Sequence, residues 1–402
     1  MKKILLISPH FHPEAFKCND VAFELARKGY DVTVLSDIPN YPGGKFFDGY
    51  GFFRRRRETV EGVKIIRTAV IPRGNGSGKM LALNYMSFAF TACIRALFMG
   101  IFRRYDVVLV HETSPITVGL PAVIIKKLQK KSKLLFWVLD LWPESLQAAG
   151  NINNKKILDF FSGMARMIYR NSDKILISSK GFRTSIVEKG DFGDKLVYFP
   201  NWAEDIFTDA VKKQIPELPE GFRLMFAGNI GEAQDFDNVM RAALELKEEK
   251  DVKFLIIGDG RKKAWVEEYI KDNGLEETVH LLGRHPIDTM PTFYEQADAM
   301  FLALKDEHIF SLTAPAKIQT YMAAKKPIIA MINGETRNLI AESSCGLSCA
   351  SGDYMELASV ICRMKAMTAE EREHLGMNGF NYFNANFTKS KCMNHLIELL
   401  EQ

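Results

Sequence analysis

The sequence predicts an α/β protein of two Rossmann-like domains facing a central cleft. Three observations point there. Short apolar runs of strand length alternate with helical stretches along most of the chain, the pattern of buried parallel strands joined by crossover helices. The alternation breaks once, over residues 203–221, in a polar stretch ending Pro-Glu-Leu-Pro-Glu-Gly, and then restarts. The 402 residues also exceed one ordinary core, since single cores stop growing at roughly 250–300 residues.

In the first domain, 1–202, the strand-like runs are 4–8, 32–36, 63–67, 107–110, 134–139, 174–178 and 196–199. Between them lie helical stretches at 20–28, 117–129, 157–170 and 182–188. After the linker, 203–221, the second domain spans 222–385, with runs at 223–227, 253–257, 279–282, 299–304 and 327–331. Its helical stretches are 238–249, 264–273, 290–296 and 316–324. A closing helix within 386–402 places Cys392, Leu396, Ile397 and Leu400 on one face. Two such domains leave a cleft at the carboxyl ends of their strands, where a ligand is expected.

Composition narrows the class. Hydrophobic residues make up 47% and charged residues 25%, so the chain is globular, and a mean hydropathy of −0.09 excludes a polytopic membrane protein. Six cysteines without a Cys-x-x-Cys pair or His/Cys metal spacing exclude a disulfide scaffold and a zinc module. The first residues lack the long apolar run and cleavage site of a signal peptide, which places the chain in the cytoplasm. Residues 1–200 carry 31 Lys and Arg against 17 Asp and Glu, whereas residues 201–402 carry 22 against 32. A basic first half suits an anionic partner. Nucleic acid is the least fitting, because the basic residues are not interleaved with aromatics on a recognisable module.

Residues 80–102 stand outside the plan. Their polar side chains, Asn84, Ser87, Thr91 and Arg95, fall on one helical stripe, and the other faces are apolar, with Lys79, Arg103 and Arg104 at the ends. A bilayer span would bury Arg95 and set a lone helix inside a Rossmann domain, so it is rejected. A helix lying on an anionic membrane surface, assisted by Phe52, Phe53 and Arg54–Arg57, is favoured over a buried core helix.

Gly74–Lys79 lacks the spacing of a phosphate-binding P-loop. The first strand is followed by Pro9-His10-Phe11-His12-Pro13 rather than a glycine fingerprint, which argues against hydride transfer. His10 and His12 there are candidate acceptor contacts. The second domain offers three phosphate signals. Gly228-Asn229-Ile230-Gly231 follows a strand and precedes a helix, so backbone N–H groups can approach a phosphate. Gly258-Asp259-Gly260-Arg261 repeats this and adds a cation. Pro315-Ala316-Lys317 opens a helix with a lysine, unfavourable with the helix dipole unless an anion sits there. Together they indicate a nucleotide diphosphate.

In the first domain, Asp140-Leu141-Trp142-Pro143-Glu144-Ser145 stands at a strand end. Asp140 is placed to meet a substrate hydroxyl, with Trp142 and Glu144 as acceptor contacts. Against this stand plainer readings: both acids cap the next helix, and Trp142 belongs to the core. Asp235 and Asp237 form an Asp-x-Asp best read as helix-start acids, no histidine has metal-ligand spacing, and no metal is expected.

These strings give the chain a resemblance to family 4 retaining glycosyltransferases of the GT-B fold. It is closest to the branch building bacterial O-antigen and capsule, including L-fucosamine transferases. The matching segments are Pro39-Asn40-Tyr41-Pro42, Asn84–Phe88, Asp140–Ser145, Pro200-Asn201-Trp202, Gly228–Gln234, Gly258–Arg261 and Pro315–Ala324. The resemblance implies a nucleotide-sugar donor bound mainly by the second domain, an acceptor bound by the first, retention of configuration and no metal. It puts Asp140 where many relatives have a histidine near the donor sugar, and Asn201 in a loop that meets the donor. Lys317 and Arg261 then serve the donor diphosphate, alongside Gly228, Asn229, Gly231, Gln234, Gly258, Gly260 and Pro315. There are departures. The family's Glu-x7-Glu pair falls on Leu312 and Thr320, its basic pair on Asn229 and Asp235, and its first-loop glycines on Ala15 and Phe16. Glu335 is the candidate substitute for the ribose-binding glutamate.

The expected activity is transfer of an N-acetylated deoxyhexosamine, such as L-N-acetylfucosamine, from UDP to a polyprenyl-diphosphate-linked saccharide. This is expected in capsule or O-antigen synthesis, on the inner face of the plasma membrane. The alternatives are a non-hydrolysing UDP-sugar 2-epimerase and, because of the missing glutamates, a non-catalytic partner of another transferase.

Overall fold

A computed structural model describes residues 1–148, 152–208 and 211–402. The chain forms two compact units, Met1–Phe199 with Leu396–Gln402, and Pro200–His395. The stretch read as a linker is counted with the second unit, where Phe207 and Leu218 are buried; its residues 209 and 210 lie outside the described residues. The last helix, Lys389–Glu401, lies in the stretch where a closing helix is expected.

In the first unit the strands are β1 (Lys3–Ile7), β2 (Asp31–Asp37), β3 (Arg57–Val60), β4 (Val63–Thr68), β5 (Val107–Glu112), β6 (Lys133–Val138), β7 (Lys174–Ile177) and β8 (Leu196–Tyr198). Their order is β3-β4-β2-β1-β5-β6-β7-β8, parallel throughout except for the β3–β4 hairpin. Central strands such as β5 are buried along their whole length, which is why they show as continuous apolar runs. The order reverses between β1 and β5, so the connections leaving those strands diverge and open a crevice at their carboxyl ends.

The second unit holds β9 (Phe222–Asn229), β10 (Val252–Asp259), β11 (Val279–Gly283), β12 (Ala299–Ala303), β13 (Ile328–Met331) and β14 (Gly346–Cys349). These run parallel in the order β11-β10-β9-β12-β13-β14, reversing between β9 and β12. Apolar side chains from β9, β10 and β12 form its core with the helices Phe236–Glu245 and Tyr354–Ala366. Two edge strands, β3 and β14, escape the sequence reading because Arg-Glu-Thr-Val and Gly-Leu-Ser-Cys are short and half polar.

The helix expected at 80–102 runs from Gly78 to Phe102, and its polarity is turned inside out. Asn84 Nδ2 donates to the Ile71 carbonyl at 2.7 Å, Ser87 Oγ accepts from the Ile71 N–H at 2.9 Å, and Thr91 Oγ1 donates to the Ala69 carbonyl at 2.6 Å. The polar stripe therefore holds the loop after β4, together with buried Phe88, Ala92, Ala96 and Met99. Leu83, Met86, Phe90, Ile94, Leu97, Phe98 and Ile101 recur every three or four residues on the exposed side, Phe90 being 68% exposed. The buried-core alternative fails on this face. Among the described residues this helix alone is long and apolar enough to cross a membrane by length and composition, but its polar side chains fasten it to the loop after β4.

The two faces predict opposite mutational behaviour. Phe88→Ala should cost about 3–5 kcal/mol in urea unfolding, the range for an emptied aromatic core site. Phe90→Ser should change stability by less than about 0.5 kcal/mol. Equal losses at both positions would show the faces to be misassigned.

Candidate functional site

In the second unit the chain leaves β9 through Gly228, at the point where the strand order reverses. Lys317 opens the helix Lys317–Ala323, which follows β12 after the short helix His308–Leu312. Its Nζ stands 3.8 Å from the centroid of the Phe226 ring. Gly228 has φ +143°, and a Cβ there would stand 2.5 Å from Lys317 Nζ, so only glycine leaves room for the ammonium. Gly258 pairs with Gly228 in the β9–β10 ladder and, at φ +142°, would drive a Cβ into the Gly228 carbonyl oxygen. One turn on from Lys317, Tyr321 Oη accepts from the Ala227 N–H at 3.3 Å, tying the helix to β9.

No carboxylate lies within ion-pair distance of Lys317 among the described residues. Burial alone lowers its pKa to about 7. An ammonium above an aromatic face, at a helix start and without a counter-ion, is an arrangement that an entering anion completes.

The neighbouring turns are built around this point. Gln234 Oε1 accepts from the Gly231 N–H at 3.2 Å, which puts Gln234 in the turn's own support. Ile230 N–H donates to the Asp259 carbonyl at 2.9 Å and the Ile230 carbonyl accepts from Lys262 N–H at 3.0 Å, so the Gly228 and Gly258 turns are laced together. A Cβ on Gly260 would meet the Ile230 carbonyl oxygen at 2.2 Å. Asn229 is exposed at the end of β9, and Arg261 is exposed in the turn after Gly260. Pro315 and Asn201 are half-buried, Asn201 near the start of the unit. Glu335 lies in the first turn of the helix Gly334–Ser343, and Thr336 Oγ1 of that turn donates to the Thr313 carbonyl at 2.9 Å, just ahead of Lys317. Leu312 is buried, and Thr320 Oγ1 donates to the Ala316 carbonyl at 3.3 Å. Asp235 accepts from Asn238 Nδ2, and Asp237 pairs with Lys262 at 2.7 Å, as helix-start acids do. Phe226 and Tyr321 were not singled out from the sequence, where nothing sets them apart from core residues.

The first unit corrects several expectations. His10 is only 4% exposed: its Nδ1 lies 2.9 Å from Glu14 Oε2, its Nε2 lies 3.4 Å from Arg73, and its ring stacks on Phe16. It supports the loop rather than presenting an open face. Glu14, missed in the sequence, accepts the N–H groups of Asn40 and Tyr41 at 2.6 Å each. His12 is half-buried, and its carbonyl accepts from Arg67 at 2.6 Å. Ligand atoms of His10, Glu14 and Asp37 lie within 4.8 Å of one another. Burial, then the Glu14 charge, holds the Asp37 carboxyl well above the usual range, against the lowering pull of Asn40, Arg73 and Arg67. Guanidinium groups stand beside the cluster and Glu14 is bonded within it, so its members are tied into one hydrogen-bonded network.

Asp140 follows β6 and accepts a hydrogen bond from Ser145 Oγ, while its N–H donates to Glu112 Oε2 at 3.3 Å. Burial raises its pKa to about 6, with the Ser145 and Ser114 hydroxyls opposing. Glu112, fully buried at the end of β5, is held well above its ordinary value by burial and then by Asp140. Trp142 is not an open platform: it is 6% exposed, its Nε1 donates to Ser114 Oγ at 3.1 Å, and its ring meets the edge of Phe161. Glu144 is not open to an acceptor either. Burial raises its pKa, but the Lys189 ion pair and the Ser185 hydroxyl outweigh this and bring it below normal. It stands in the first turn of the helix Glu144–Ala148, with its Oε1 turned to Lys189 and Ser185.

Comparison with known proteins follows this division. Residues 17–202 match the glycosyl transferase 4-like domain, and residues 221–366 match glycosyl transferases group 1. The chain is 24% identical over 337 residues to the putative colanic acid biosynthesis glycosyl transferase WcaI of Escherichia coli (strain K12), covering 80% of this chain and 81% of that protein. It is 30% identical over 240 residues to the probable glycosyltransferase WbjE of Pseudomonas aeruginosa, covering 56% and 58%. Sucrose-phosphate synthase of Thermosynechococcus elongatus shares the fold with a TM-score of 0.75 at 16% identity, over 100% and 99% of the two chains. Anabaena Alr3699/HepE, in complex with UDP and glucose, does so with a TM-score of 0.68 at 14% identity, over 100% of both.

The Lys317 environment has a stability signature. Its folded pKa of about 7 lies below the ordinary 10.5, so between these values the unfolded chain holds a proton that the folded chain has released. Stability therefore rises with pH across that window. Lys317→Met should be more stable than the parent by about 1–4 kcal/mol at pH 7, with the gap shrinking toward pH 10. A gap independent of pH would mean that the ammonium is solvated.

Proposed function

The chain is a family 4 glycosyltransferase of the GT-B fold, and on that premise we propose that it takes a sugar from UDP and transfers it, with retention, to a lipid-linked saccharide. The observation that carries the donor assignment is the Lys317 ammonium, buried against Phe226 and Gly228 without a counter-ion. A diphosphate completes it. Arg261 adds to the same anion, Asn229, Asn201 and Pro315 line the donor, Gln234 and the glycines hold the two turns in shape around it, and Glu335 takes the ribose. This charge complement makes a metal ion unnecessary. The shared fold of the HepE complex with UDP and glucose supports a UDP donor.

In the reaction the bond between the anomeric carbon and the UDP oxygen breaks as a bond to the acceptor oxygen forms on the same face. The acceptor's proton passes to the departing phosphate. Lys317 stabilises the charge developing on that phosphate in a site with little water, where such a contact is worth most. Asp140, ionised at neutral pH, accepts a hydrogen bond from the acceptor hydroxyl and orients it. His12 is the remaining histidine on the acceptor side.

The acceptor is a polyprenyl-diphosphate-linked saccharide, and the enzyme works as a peripheral protein on the anionic inner face of the plasma membrane. The exposed apolar stripe of Gly78–Phe102 and the basic first half support this. The names of WcaI and WbjE support a place in bacterial polysaccharide synthesis. An N-acetylated deoxyhexosamine donor such as L-N-acetylfucosamine rests on the sequence resemblance. An epimerase is not favoured, because both domain matches are to glycosyltransferases. A non-catalytic partner would show no turnover in the assay below.

Thermal shift with UDP-, GDP- and dTDP-sugars tests the donor: stabilisation should be specific to UDP and lost in Lys317→Ala. In a turnover assay with membrane extract, Lys317→Ala and Asp140→Asn should each lose about 10²-fold in kcat. The parent's rate should fall below about pH 6 as Asp140 takes up its proton. Full activity in Lys317→Ala would overturn the phosphate assignment.

A further inference from the structure

The trough between the helix Gly78–Phe102 and the β3–β4 hairpin contains three adjoining recesses. The first, about 390 Å³, is lined by Arg56, Arg57, Arg67 and Arg95, with Ile94 and Phe98 at its rim. The second, about 300 Å³, is lined by Arg57, Lys64 and Arg103, with Glu58 the one carboxylate. The third, about 390 Å³, has Lys3, Lys64, Arg103 and Arg104 against Asp31, with Phe102 beside them. Neighbouring recesses share cations, so the row is continuous.

Some of these charges belong to the fold. Arg67 pairs with Glu58 at 2.6 Å, and Lys64 pairs with Asp31 at 2.7 Å. Arg56 is anchored by the carbonyls of Arg67 at 2.9 Å and Phe52 at 2.8 Å. Arg57 and Arg95 have no carboxylate partner among the described residues, and the Arg95 Nε is buried without a hydrogen-bond partner. Burial, then the like charges of Arg57, Arg103 and Arg56, disfavours its charged form. Arg57 and Arg95, converging without a carboxylate of their own, form a poor surface for water alone and a good one for phosphate, which guanidinium groups can grip with two parallel hydrogen bonds.

We propose that this row seats the headgroup phosphates of anionic phospholipids while the adjoining stripe of Phe90, Ile94, Leu97, Phe98 and Ile101 enters the acyl boundary. The inference rests on the membrane-surface reading given above and deepens it from diffuse attraction to a built site. Several recesses along one apolar ridge match several headgroups in a leaflet, whereas a single acceptor needs one seat. A second copy docked symmetrically on the ridge brings arginines against arginines, which disfavours it as the occupant.

The test is co-sedimentation of the full chain with phosphatidylcholine vesicles, with and without phosphatidylglycerol. The charge-conserving pair Arg57→Lys and Arg95→Lys should weaken binding to phosphatidylglycerol vesicles at least about fivefold, although net charge is unchanged. Lys155→Gln with Lys156→Gln, exposed and lining none of the recesses, should change it less than about twofold. Arg57→Lys alone, at an exposed position, should show part of the loss and keeps the test valid if Arg95→Lys folds poorly. Equal binding by the lysine pair and the parent overturns the seats in favour of diffuse attraction. Self-association without vesicle binding makes the ridge an interface between copies and overturns the proposal too. Sugar transfer to a detergent-dispersed acceptor separates the two claims: transfer with no vesicle binding sinks the seats alone, and arginine-specific vesicle binding with no transfer sinks the transferase reading alone.

Discussion

An ammonium held over an aromatic ring with no counter-ion is the constraint around which the second unit is arranged. Lys317 Nζ occupies the space that a Cβ at Gly228 would take, and the Gly228 carbonyl occupies the space that a Cβ at Gly258 would take. Two glycines and a lysine are thus fixed together, and Tyr321 binds their helix to β9. Lowering a lysine pKa from 10.5 to about 7 costs the folded protein a few kcal/mol, stability that a bound anion would return.

The first unit shows the opposite sign of the same principle. Asp140, half-buried, and Glu112, fully buried, stand at the ends of adjacent strands and are joined through a backbone N–H. Burial acts most strongly on the deeper Glu112 and leaves Asp140, with its serine donors, titrating at about 6. Beside them His10, Glu14 and Arg73 form a closed network that shapes the loop after β1. The unit thus separates one carboxyl that ionises near neutrality from groups that hold its surroundings in place.

The strands were legible because their residues are buried on both faces, which leaves continuous runs of Val, Ile, Leu and Phe. Lys317 was legible for another reason, since a cation at a helix start conflicts with the dipole and calls for an anion. Trp142 and Glu144 were misread because their partners, Ser114 and Lys189, are 28 and 45 residues away in sequence, and no local pattern reports them. The polar stripe of Gly78–Phe102 was visible, but its direction was not. That depends on backbone groups of Ala69 and Ile71, which are hydrogen-bonding sites in every sequence. Glu14, in the loop after β1, and Glu112, at the end of β5, were passed over because an acid in either place is ordinary until its burial is known.

The central claim is that Lys317 waits uncharged or half-charged for a diphosphate. Observing its Nζ by NMR through a pH titration, with and without UDP, tests it most directly. The account predicts a midpoint near pH 7 in the free protein and a marked rise when UDP binds, because the anion favours the charged form. A midpoint near 10.5 that UDP leaves in place would contradict it.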